Sequence, residues 1–224
     1  PILAGKLTSA MIQGIQQNGV GTSLKHFALN NQETNRTGNN VLVSPYVMHE
    51  LYLKPFEIAI RESNPWTVMS SYNKVNGEYA SESSLLLDSI LRRQWGYKGP
   101  VMTDWLGGQD AVKQAVAGND LLMPGLKKQR KVLKDAVENG KLSTHILDRN
   151  VQRILELIIK TSRFQQYAYT NTVDLGANAR TSRMAAAEGM VLLKNDSLTL
   201  PLDKSRTGRI ALFGISSYDF IPGG

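Results

Sequence analysis

Cysteine is absent from the 224 residues, which excludes disulfides and thiolate metal sites but does not fix a compartment. Histidine is scarce: His26, His49 and His145 are scattered rather than set at metal-ligand spacing, so no metal centre and no cofactor are expected. No apolar run approaches the roughly 20 residues needed to cross a bilayer. The longest candidate, Ile154 to Ile159, is interrupted by Glu156 and reads as one face of a helix, so no membrane partner is expected. Gly107, Gly108 and Gly118 fit neither Gly-rich phosphate-binding fingerprint. Pro1 opens the chain without a basic-then-apolar signal pattern, so any export signal is expected upstream.

What is present describes a globular chain. Hydrophobic residues make up 42% and charged residues 20%, enough apolar side chain for a core. The net charge of +7 comes largely from Lys127-Lys128-Gln129-Arg130-Lys131 and the stretch Arg149 to Arg153, both on helical patterns. A run of this kind is usually a solvated helix face, and no aromatic platform alternates with the basic residues, so nucleic acid is not an expected partner.

Short apolar segments alternate with helical ones over the first three quarters of the chain, the pattern of an α/β fold with a parallel sheet. Strands are expected at Gly21–Phe27, Thr67–Tyr72, Pro100–Thr103 and Asp120–Met123, each followed at once by polar or aromatic residues. Strands buried on both faces, with C-terminal ends opening onto a site, have this shape. Ser44-Pro45 starts a helix that Pro55 must break or kink. Ser83 to Trp95 places Leu86, Leu87, Ile90 and Leu91 on one face and stops at Gly96, and Leu126–Asn139 stops at Gly140. A helix from Ser143 carries Ile146, Leu147, Val151, Ile154, Leu155 and Ile158 at helical spacing. The division expected is residues 1–163, a linker at 164–178, and a second unit at 179–224. That unit begins with a helix near Thr181–Glu188 and strands at Met190–Leu193 and Arg209–Phe213. Four strand–helix units do not close an eight-stranded barrel, which takes about 250 residues.

The residues just past the strands carry the chemistry. Lys25, His26, Asn30, Asn31, Gln32, Glu33 and Arg36 follow the first; Ser70, Ser71, Tyr72 and Asn73 lie at the second; Asp104-Trp105 ends the third; Met123-Pro124-Gly125 ends the fourth. Amides, cations, a carboxylate and an indole on one rim suit a neutral ligand rich in hydroxyls, whose apolar face stacks on an aromatic ring.

In order, the chain contains Lys25-His26-Phe27 with Asn30 to Arg36, Met69-Ser70-Ser71-Tyr72-Asn73-Lys74-Val75-Asn76-Gly77, and Trp95-Gly96-Tyr97-Lys98-Gly99-Pro100-Val101-Met102-Thr103-Asp104-Trp105. Gly118-Asn119-Asp120-Leu121-Leu122-Met123-Pro124-Gly125 and Glu188-Gly189-Met190-Val191-Leu192-Leu193-Lys194-Asn195 follow. Together these resemble a family-3 glycoside hydrolase of the β-glucosidase type, and the match runs from Gly21 to about Leu202. The resemblance implies the C-terminal half of a (β/α)8 TIM-type barrel followed by the first elements of an α/β sandwich domain. It implies a retaining enzyme whose nucleophile is Asp104. Lys25 and His26 hold sugar hydroxyls, Arg36 joins that subsite, Tyr72 stands beside the nucleophile, and Trp105 lines the sugar's path. The substrate implied is a β-glucoside or cello-oligosaccharide. The acid/base carboxyl and the other barrel half are expected from the rest of the protein or another chain.

The residues also admit plainer readings. Asp104 has the position of a helix cap just after a strand. His26 has that of a buried core histidine, and Arg36 that of an exposed loop charge. Lys25 and His26 are neighbours, so both reach one ligand only where the backbone departs from regular strand geometry. Cationic Lys25 and Arg36 would favour the ionised form a nucleophile needs. Glu33 is expected to hold its loop, Asp120 to organise the following turn, and Met48, Met69 and Met102 to fill the core. The segment Ala28 to Glu33 lacks the Gly/His-rich run of the N-acetylglucosamine-specific branch. A β-xylosidase of the same family, or a non-catalytic carbohydrate-binding or scaffold remnant, stays open.

Overall fold

The computed structural model describes residues 1–219. The order is α1 (Ile2–Gln16), β1 (Ser23–Phe27), β2 (Asn40–Val41), α2 (Pro45–Val47), a π-helical turn Met48–Leu53, α3 (Lys54–Ser63), β3 (Thr67–Ser70), β4 (Lys74–Val75) and β5 (Glu78–Tyr79). A π-helical segment Leu85–Gln94 follows, then β6 (Val101–Thr103), α4 (Ala111–Ala117), α5 (Lys127–Glu138), α6 (Thr144–Lys160) and α7 (Leu175–Gly189). The chain divides into two compact units, Pro1–Ala168 and Tyr169–Gly224.

In the first unit β1, β3 and β6 form one parallel sheet in that order, so the α/β reading holds. All four positions of β3 are buried, as a strand covered on both faces requires. The core gathers Phe27, Leu53, Val68, Leu86, Leu87 and Ile90. Phe27 meets Phe56 and Trp95 edge-on at 5.3 and 5.8 Å between ring centres. Met48 and Met69 are buried there, while Met102 is only half-buried. Pro55 lies in the first turn of α3, where the π-helical turn hands over and a missing N–H costs little.

Several elements differ from expectation. Helix α1 was not foreseen: its buried positions are Gly5, Ser9 and Ile12, and a Cβ on Gly5 would meet Ile58 at 2.9 Å, so small residues make the contact. Leu3, Leu7 and Met11 on its other face are exposed. Strands β2, β4 and β5 form a second small sheet, with the Asn76-Gly77 turn of a hairpin at φ 51° and 97°. The expected strand Asp120–Met123 is reduced to a single bridge, Met102 to Leu121. Backbone bonds remain, from the Thr103 N–H to the Leu121 carbonyl (3.0 Å) and from the Leu121 N–H to the Val101 carbonyl (3.2 Å), and side chains add to them: Asp120 Oδ2 accepts the Val101 N–H (2.8 Å) and Thr103 Oγ1 accepts the Met123 N–H (2.8 Å). Helix α6 does not bury its expected face. Val151, Leu155 and Ile158 are exposed and Ile146, Leu147 and Ile154 only half-buried, while polar bonds anchor the helix through Asn150 on the Asn119 carbonyl (3.0 Å) and Arg153 on Asp120 (2.9 Å).

In the second unit α7 starts at Asp174, whose side chain accepts the Ala177 N–H (2.8 Å). It buries no residue. The expected strands Met190–Leu193 and Arg209–Phe213 are not formed, since neither finds a pairing partner among the described residues. Among those residues no helix is long and apolar enough to cross a membrane.

Candidate active site

Asp104 follows β6 directly, at the carboxyl edge of the sheet. Its N–H donates to the Ser70 carbonyl (3.2 Å), extending the β3–β6 ladder one residue past the strand. The chain then turns back on the side chain. The Trp105 N–H donates to Asp104 Oδ1 (2.7 Å), the Gly107 N–H to the Asp104 carbonyl (3.0 Å), and Leu106 sits at φ 62°. Asp104 is left 9% exposed.

The other strand ends converge on this carboxylate. His26 Nε2 lies 3.3 Å from Asp104 Oδ2. Burial lowers the His26 pKa below 6.5; the Asp104 charge opposes the shift and the Lys25 charge adds to it. The shift favours the neutral imidazole over an ion pair at this contact. Tyr72 is buried beside them; burial, then its interaction with Asp104, raises its pKa above 10. Arg36 lies 4.8 Å from the centre of the Tyr72 ring, within cation–π range, and pairs with Glu33 at 2.8 Å. Glu33 also accepts from Asn30 (3.3 Å), so it holds its own loop.

Lys25 and Trp105 are less engaged. The β1–β3 register skips between Leu24 and Phe27, so the backbone at Lys25-His26 is not that of a regular strand. Lys25 is exposed and makes no side-chain hydrogen bond or ion pair among the described residues, although its charge is felt at His26. Trp105 is 49% exposed next to Asp104, an indole open to a ligand. Asp120 is taken up elsewhere: its fully buried carboxylate receives Arg92 (2.7 Å) and Arg153 (2.9 Å) and organises the strand end.

Buried polar residues lie under the site, and Ser70, expected on the ligand rim, is one of them at 0% exposed, while Asn119 and Gln114 had no expected role. Ser70 Oγ donates to Asn119 Oδ1 (3.0 Å), Asn119 Nδ2 to the Ser81 carbonyl, and Gln114 Nε2 to the Gly107 carbonyl. Gly118-Asn119-Asp120 was legible as a motif, but nothing in its spacing marks Asn119 as a joint between strands. Among the described residues no group of three or more His, Asp or Glu side chains could hold a metal ion. A cavity of about 840 Å³, lined by Leu121, Leu126, Leu133, Leu147 and Val151 among others, contains none of the site residues.

Comparison with known proteins gives this geometry a context. The chain is 43% identical to "Thermostable beta-glucosidase B" of Acetivibrio thermocellus over 217 residues and 40% identical to "Probable beta-glucosidase K" of Aspergillus fumigatus over 215. Each alignment covers 96% of this chain, which spans 28% of the length of each of those relatives. The fold is similar to that of beta-glucosidase 3B from Thermotoga neapolitana, solved in complex with glucose, with a TM-score of 0.86 and 43% identity over 91% of this chain and 29% of that one. Residues 1–157 match the glycosyl hydrolase family 3 N-terminal domain, and the chain belongs to that family.

Proposed function

We infer that the chain is part of a retaining β-glycoside hydrolase of the exo-acting β-glucosidase type, releasing terminal non-reducing β-D-glucosyl residues. The observation that carries this reading is a strand-end carboxylate, Asp104, held by the Trp105 N–H, with the buried Tyr72 beside it and the His26 imidazole at 3.3 Å. A retaining mechanism needs such a group to attack the anomeric carbon and form a glycosyl ester, which water then hydrolyses. Tyr72 fixes one carboxylate oxygen, His26 and Lys25 hold sugar hydroxyls, Arg36 supports the same subsite, and Trp105 offers a stacking face. The second carboxyl, about 5–5.5 Å away in retaining enzymes, is proposed to come from outside these 224 residues, in keeping with the 28% of its relatives' length that the chain spans. On the same reading residues 1–163 are half of a (β/α)8 barrel, 164–178 a linker, and 179–224 the start of a sandwich domain.

The test is trapping. The whole protein that carries this chain is treated with a 2-deoxy-2-fluoro-β-glucoside and its peptides are mapped by mass spectrometry. A 2-fluoroglucosyl ester on Asp104 is expected, with Asp104→Ala lowering turnover on the order of 10⁴-fold. Label on another carboxylate refutes the assignment. No label together with glucose binding leaves a carbohydrate-binding remnant, and faster labelling by the fluoroxyloside makes the enzyme a xylosidase.

A further inference from the structure

The loop after Asp104 is fastened from behind. The Leu106 N–H donates to the Met123 carbonyl (3.0 Å), and the Gly107 carbonyl accepts from Gln114. The third fastening is a carboxylate. Glu82 Oε1 accepts both the Gln109 N–H (2.6 Å) and the Asp110 N–H (2.9 Å). Glu82 comes from the short stretch after the β4–β5 hairpin, far from the loop in sequence. It is 8% exposed and forms no ion pair among the described residues. A buried carboxylate without a cation is costly unless it is hydrogen-bonded, and here the loop's own amides supply two bonds to Oε1. Gly108 precedes the two amides at φ 73°, where a Cβ would collide with Gln114 Nε2 and Ser81 Oγ and come to 3.0 Å from Glu82 Oε1. The loop can approach the carboxylate this closely only with glycine there.

We propose that Glu82 is a positioning residue for Asp104: by holding the amides of Gln109 and Asp110 it fixes the Trp105–Gly108 turn, and with it the carboxylate that the turn grips. Glu82 holds Gln109 and Asp110, the turn closes through the Gly107 N–H on the Asp104 carbonyl (3.0 Å), and the Trp105 N–H orients Asp104 Oδ1 (2.7 Å). The inference rests on the reading of Asp104 as nucleophile. A carboxylate displaced by a fraction of an ångström attacks the anomeric carbon poorly while the sugar still binds, so the loss falls on the chemical step.

The experiment uses the whole protein with Glu82→Ala, Glu82→Asp and Glu82→Gln, labelled with 2,4-dinitrophenyl 2-deoxy-2-fluoro-β-glucoside. Final stoichiometry and the rate constant per labelled site are read separately. Glu82→Ala is expected to reach wild-type stoichiometry about 10- to 100-fold more slowly, with kcat reduced by the same factor and KM little changed. Glu82→Gln keeps an acceptor oxygen and is expected within about threefold of wild type. A merely structural role would lower stoichiometry and leave the rate constant alone, which overturns the proposal. So does a Glu82→Gln protein as slow as Glu82→Ala. Should Glu82→Ala fail to fold, Glu82→Asp decides, since its shorter side chain does not span both amides and a wild-type rate in it is equally fatal. Wild-type protein that takes no label at Asp104 overturns the nucleophile reading itself, whereas labelled wild type with unaffected variants overturns only this inference.

Discussion

Phe27 and Phe213 each close a segment expected to be a strand, and they end in opposite environments. Phe27 is 0% exposed, wedged between Phe56 and Trp95, whereas Phe213 is 89% exposed. Composition does not separate them: Ser23 to Phe27 contains a lysine and a histidine, while Ile210 to Phe213 is apolar throughout. Pairing does. β1 has β3 beside it to take its backbone hydrogen bonds and a helical layer to cover it, while Arg209–Phe213 has no strand partner among the described residues. An apolar run becomes a strand only when a neighbour satisfies its N–H and C=O groups. The first unit therefore carries the buried structure, and the second carries sequence that has found no such neighbour.

That contrast can be broken by substitution. Phe27→Ala is expected to cost about 3–5 kcal/mol, the usual range for truncating a fully buried aromatic, as a lowered urea midpoint. Asp120→Asn should follow at about 3 kcal/mol, because it leaves Arg92 buried opposite a neutral side chain. A cost below 1 kcal/mol would mean that the strand end is held by backbone bonds instead. At the other extreme, Phe213→Ser and Leu193→Ser should move the midpoint by less than about 0.5 kcal/mol. A loss above that would show that these side chains are covered in the protein.

His26 sharpens the contrast through pH. Its folded-state pKa is depressed below 6.5 by burial, so the unfolded chain takes up the proton first as the pH falls. The stabilisation due to a neutral His26 is complete above pH 6.5 and is lost as the pH drops through the folded value. Urea midpoints measured between pH 7.5 and 5 should fall less steeply in His26→Gln than in wild type. An imidazole NMR titration with its midpoint at or above 6.5 would contradict the burial of the ring.

Much of this was legible in the sequence. The order of the motifs placed Asp104, His26 and Tyr72 at neighbouring strand ends, and a parallel sheet then brings those ends together whatever the loops do. Helix α1 was harder because two of its three buried positions, Gly5 and Ser9, carry no hydrophobic signal beside Ile12, while Leu3, Leu7 and Met11 are exposed. Helix α6 misled in the opposite sense: its apolar spacing is real, but Asn150 and Arg153 set its orientation through long-range polar bonds. Asn76-Gly77 was a readable hairpin signal that went unused. Glu82 left no trace, since its partners are backbone amides and an amide has no residue type to recognise.

The buried Arg92–Asp120–Arg153 link has a consequence for ionic strength. Surface pairs such as Lys131–Asp135, whose side chains are 75% and 46% exposed, are screened at physiological salt, where the Debye length is about 8 Å. The Asp120 side chain is 0% exposed and that of Arg92 only 7%, so dissolved ions do not come between them. This link fastens the residues next to β6 to the π-helical segment and to α6, which makes the platform under Asp104 indifferent to brine. Concentrated salt should loosen the helix exteriors of the first unit well before it disturbs that platform.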